Sequence, residues 1–118
     1  AWQTPSGEII SYSLEPSAGP ADAAKIAEQK VLAQKMMESM TIQVGDQIIK
    51  GQFLGYLYGQ DDWAHVHMSV KASDRGPEQW LCPADFMSTV GESDLLTKSL
   101  IWADRLYKGS KQPELCNY

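Results

Sequence analysis

Apolar and polar residues alternate along "EIISYSL", residues 8–14, with Ile9, Ser11 and Ser13 on one side and Ile10, Tyr12 and Leu14 on the other. A period of two belongs to an extended strand with one covered face. The Ile10, Tyr12, Leu14 side is the one expected to be covered. Pro5, Pro16, Gly19 and Pro20 surround the run, so residues 1–20 read as an extended N-terminal arm holding a short β segment. The pattern then changes period. "PADAAKIAEQKVLAQKMMESM", residues 20–40, is built from Ala, Lys, Glu, Gln, Leu and Met, the strongest helix formers. Pro20 suits a first turn and Asp22 the positive end of the helix dipole. Ile26, Ala33, Met37 and Met40 form its apolar stripe.

Residues 41–72 fit two templates. Gly45-Asp46 reads as a turn between "TIQV" and "QIIK", while Phe53, Leu57, Ala64 and Met68 keep helical spacing. As a strand, residues 63–70 would place Trp63, His65, His67 and Ser69 on one face. A helix from Gln52 to Met68 is favoured, because Gly59 is the one strongly opposing residue well inside it. Further on, Cys82-Pro83 opens a short helix that Gly91 stops, and Ser93 or Asp94 caps a second one. Leu96, Leu100, Ala103 and Tyr107 give this second helix a stripe that Gly109 ends. The expectation is a mainly α fold, a single domain over residues 1–118, with a C-terminal helical hairpin.

Cys82 and Cys116 are the only cysteines and lie at either end of that hairpin. An antiparallel return would bring the sulfurs together, and the expectation is one Cys82–Cys116 disulfide. With about 33 residues enclosed, chain entropy makes such a bridge worth on the order of 4 kcal/mol.

At 118 residues the chain can bury one core. Its net charge of −5 repels phosphate, which argues against nucleic acid and anionic membranes as partners. No apolar run reaches the length of a bilayer span. The chain opens at Ala1 with no initiating Met, as a mature exported protein or a trimmed chain would.

"HVH" at residues 65–67 offers imidazoles that share a face on a strand and diverge on a helix. Sequence spacing places no third ligand, so no metal site is assigned. No G-x-S-x-G or phosphate-cradling loop is present, and no catalytic or cofactor-binding residue is assigned. Gln60, Asp61, Asp62 and Trp63 join carboxylates to an aromatic anchor between two apolar segments. They are the candidate partner-binding residues.

"GQFLGYLYGQDD", followed by "LCP", a terminal helix and a last Cys, resembles the resistance-associated (Rap/Tai) family. Gly55, Tyr56, Leu57 and Gly59 match its Gly-Tyr-Ile-x-Gly-like segment. Cys82 and Pro83 are adjacent where the family usually separates them, and a second Cys pair is absent. The resemblance implies a helical, disulfide-bonded periplasmic immunity protein, often dimeric, that blocks a peptidoglycan amidase delivered by type VI secretion. "WLCPADF" before a Leu-rich helix is similar, over less of the chain, to Hde-type periplasmic acid-stress chaperones. A secreted structural protein is the third alternative. The expected partner is another protein, with a second copy of the chain as an alternative, and no enzymatic activity is expected.

Overall fold

The N-terminal alternation seeds a sheet that takes in more of the chain than a short arm would. The computed structural model of the protein describes residues 1–20, 22–60, 63–73, 77–108 and 116. Strands β1 (Trp2–Gln3) and β2 (Ile9–Glu15) pair antiparallel. In the turn between them Gly7 takes a φ of 110°, which glycine reaches without a Cβ penalty. Thr4 N–H donates to Glu8 O at 2.9 Å, and Gly7 N–H to Thr4 O at 3.1 Å. The Ser6 hydroxyl donates to the Glu8 carboxylate at 2.6 Å, and the Thr4 hydroxyl does the same. These bonds favour the charged form and hold the Glu8 carboxyl below its ordinary range.

The helix expected over Gln52–Met68 does not form. Its last residues belong instead to β3 (His65–Lys71), which pairs antiparallel with all seven residues of β2, from Ile9 opposite Lys71 to Glu15 opposite His65. Strand β4 (Trp80–Leu81) adds to the far edge, giving the order β1-β2-β3-β4. The seven-residue register with a segment fifty residues away outweighs the local helical spacing, as tertiary pairing commonly overrides propensity. The fold is therefore mixed α/β and not mainly α. Ile10, Tyr12 and Leu14 face the same way as Val70, Met68 and Val66, so one side of the sheet is apolar. Ser11, Ser13, Glu15, His65, His67 and Ser69 line the other.

Asp22 caps the first helical segment, accepting from Ala24 N–H at 2.9 Å, and a single 3-10 turn (Ala23–Lys25) leads into α1 (Ile26–Glu38). The inner side of this helix is partly polar. Gln29 Oε1 accepts from Ala18 N–H at 2.8 Å, Gln29 Nε2 donates to Pro16 O, and Lys25 Nζ donates to Ala18 O at 2.8 Å. That docking turns the expected stripe outward: Ile26 and Met37 are exposed, and Met36 is the buried residue of the helix.

The C-terminal hairpin also differs from expectation. Pro83–Phe86 form one 3-10 turn, and a single helix α2 (Thr89–Tyr107) runs straight through Gly91. Ser88 caps it by accepting from Gly91 N–H at 3.2 Å, so the glycine lies in the first turn and stops nothing. Gly109 lies outside the described residues. Cys82 and Cys116 are disulfide-bonded, with Cα atoms 5.5 Å apart.

Val70, Ile10, Cys82 and Ala84 are buried where β2 and β3 meet the 3-10 turn, and Ala18 and Met36 are buried beside α1. Gly59 fixes where the chain turns back toward β3. It bridges Ser17 in parallel, and a Cβ there would overlap Ala64 Cβ and approach Ser17 O at 3.2 Å. Gly59→Ala is expected to destabilise the fold by about 1–3 kcal/mol, since backbone must move to admit the methyl group. Urea unfolding of the two proteins measures it.

Candidate functional site

Two places on the sheet gather chemistry, one on each face. On the polar face, register sets Glu15 opposite His65 and two pairs from His67, which lies opposite Ser13. Both imidazoles turn to the same carboxylate: His65 Nε2 lies 3.3 Å from Glu15 Oε2, and His67 Nε2 lies 3.0 Å from Glu15 Oε1. The rings meet edge to face with centroids 4.8 Å apart. All three side chains are half-exposed or more, at 50% for His65 and Glu15 and 60% for His67. Across the His65 ring, Nδ1 lies 3.0 Å from the Trp63 carbonyl oxygen. A carbonyl only accepts, so Nδ1 carries the proton and the other ring nitrogen faces Glu15. Among the described residues, this is the grouping whose donor atoms can surround one ion.

The apolar face carries a groove of about 910 Å³, between the sheet and the long connection after α1. Trp2, Tyr12, Leu14 and Val66 form its floor, with Met40, Leu54, Tyr56 and Leu57 above. Trp2 packs edge-on against Tyr12 at 4.9 Å, fixing one end. The overhanging segment is held without regular strand structure. Thr41 N–H donates to Leu54 O at 2.9 Å, and Tyr56 N–H donates to Ser39 Oγ at 2.9 Å. At its tip Asp46 N–H donates to Gln43 O at 3.2 Å, and the Asp46 carboxylate accepts from Gln43 N–H at 2.8 Å, closing a turn where Gly45-Asp46 suggested one. Phe53, Tyr56 and Tyr58 form an edge-to-face row, and Tyr56 remains 61% exposed.

The residues singled out in the sequence fall in different places. Gln60 is exposed, and its N–H donates to Ser17 O at 3.0 Å. Trp63 is exposed and lines a second cleft, of about 860 Å³, with Pro16, Ile26, Gln29, Glu15 and His65. Asp61 and Asp62 lie outside the described residues. Gly55, Tyr56 and Leu57, the segment that carried the family resemblance, line the first groove. Sequence reading missed Glu15 as a neighbour of the histidines. The signal was present in part: Glu15 continues the Ser11, Ser13 side of the alternation, but only the β2–β3 register puts it beside His65. Comparison with protein-family models, with curated proteins and with solved structures found no match.

Proposed function

We propose that this is a non-enzymatic protein-binding domain of an oxidising compartment, and that its partner is a secreted peptidoglycan amidase which it inhibits. The groove on the apolar sheet face is the observation that carries the binding half of this reading. Its lining is apolar and aromatic, its floor is set by paired strands, and Tyr56 and Leu57 stand exposed at its rim. Exposed apolar concavities of this kind mark interaction sites, and aromatic anchors carry much of the energy there. The amidase half rests on the resemblance of Gly55, Tyr56, Leu57 and Gly59 to the resistance-associated family. The net charge of −5 complements the basic surface expected of an enzyme that works on an anionic polymer. The Cys82–Cys116 bridge fits a periplasmic or extracellular setting.

The chain as a whole is less compact than a closed domain of its length. The Cα radius of gyration is 16.6 Å, against roughly 13.5 Å for a compact chain of this size. A partner that inserts an apolar side chain would find the site already formed.

Tyr56→Ala tests the reading. Truncating an aromatic anchor costs about 2 kcal/mol of binding, so affinity for the amidase should fall about 30-fold. Stability should change by less than about 1 kcal/mol, because Tyr56 is mostly solvated. Calorimetric titration and urea unfolding separate the two effects. Equal affinity in both proteins would remove the groove from the interface.

A further inference from the structure

We infer that Glu15, His65 and His67 form a binding site for a single divalent transition-metal ion of the zinc class. Nothing in the protein-binding reading requires it, and it lies on the opposite face of the sheet from the groove. Two readings of the chain stand against a metal: helical spacing splays the histidines, and sequence spacing places no third ligand. Neither holds on β3. His65 and His67 share a strand face, and β2 supplies a carboxylate between them.

The distances suit the ion. With bonds of about 2.0–2.1 Å, two ligands of a tetrahedral zinc stand about 3.3–3.4 Å apart. His65 Nε2 to Glu15 Oε2 is 3.3 Å and His67 Nε2 to Glu15 Oε1 is 3.0 Å, so each imidazole already stands near ligand spacing from one oxygen of the carboxylate, and turning the carboxyl group sets a single oxygen between them. All three donor atoms lie within 4.8 Å of one another. Closing the remaining gap takes rotation of exposed side chains and no movement of the paired strands.

The tautomer points the same way. Nδ1–H of His65 donates to the Trp63 carbonyl, the outer hydrogen bond that metal-bound histidines typically make. With Nδ1–H so engaged, Nε2 of His65 faces a carboxylate oxygen at 3.3 Å. A proton on Nε2 bridges that one pair, whereas a metal ion engages His65, His67 and Glu15 together. Two imidazoles and one carboxylate match the ligand set of open zinc sites. The fourth position would belong to water or to an outside ligand. Cu²⁺ would bind the same nitrogens more tightly, following the usual order of divalent ions.

The test uses the intact, oxidised chain at neutral pH with Zn²⁺ as the probe. Calorimetric titration should give one ion per chain, and Co²⁺ in its place should produce the visible absorption of a four-coordinate site. His65→Ala, His67→Ala and Glu15→Gln should each weaken Zn²⁺ by at least about tenfold. The ion also ties β2 to β3. The unfolding midpoint should therefore rise by about 10 °C at a hundredfold excess over Kd, and should not rise in the His65→Ala/His67→Ala double variant. A variant that failed to fold would be exposed by its circular dichroism in chelator, and Glu15→Gln, which keeps its size, then carries the comparison. Absence of saturable binding, or binding unchanged in all three variants, would overturn the site.

Discussion

Replacing both Cys82 and Cys116 with serine is expected to lower the unfolding free energy by about 4 kcal/mol. The bridge closes a loop with a sequence separation of 34, and the chain-entropy relation for that length gives this value. Its Cα separation of 5.5 Å is within the ordinary range, so no backbone distortion offsets the gain. The cost is large because a domain of this size is stable by only about 5–15 kcal/mol in all. Cys82 is buried between β4 and the 3-10 turn, so the bridge anchors residue 116 to the edge of the sheet. Urea unfolding with and without reductant should show the midpoint falling sharply in the wild-type protein and staying fixed in the double serine variant. A wild-type midpoint indifferent to reductant would contradict it.

Val70→Asp should be more damaging still, costing more than about 4 kcal/mol and leaving little folded protein. Val70 is 0% exposed and sits in the middle of the sheet, opposite Ile10 on β2 and Leu81 on β4. The change loses the burial of a whole Val side chain, about 1.5–3 kcal/mol. It also places a carboxylate in an apolar site, where no charged residue is buried among the described residues, a penalty of several kcal/mol more. Val70→Ala should cost about 2 kcal/mol and remain folded, which separates the cavity from the charge. Circular dichroism and urea unfolding of the three proteins give the ranking, and a folded Val70→Asp protein of near-native stability would place Val70 outside the core.

These two sites also mark what local sequence could reveal. Cys82 and Cys116 were paired from their number and their position at either end of the expected hairpin, and the faces of β2 were legible from an alternation with Ile10 on the covered side. Helix α1 was legible from composition and from Asp22. Its buried side was not, because Gln29 and Lys25 dock through backbone carbonyls at Pro16 and Ala18 that hydrophobic patterning does not encode. Residues 63–70 satisfied both periods, and the choice was made by pairing with β2, which no window on β3 contains. The same missing register hid Glu15 from the histidines. Gly91 looked like a terminator because glycine commonly ends helices. Its amide is the partner of the Ser88 cap instead, which only the geometry of the first turn decides.

Inhibition of a peptidoglycan amidase encoded beside this chain's gene, measured with the purified oxidised protein at neutral pH, is the decisive experiment for the proposed function. A saturable one-to-one complex should form, and cell-wall hydrolysis should stop. Its formation should slow as salt screens the acidic chain from a basic enzyme, and Tyr56→Ala should shift the inhibition curve about 30-fold. No inhibition by any such pairing, together with suppression of client aggregation that switches on only in acid, would contradict the claim and establish an acid-stress chaperone in its place.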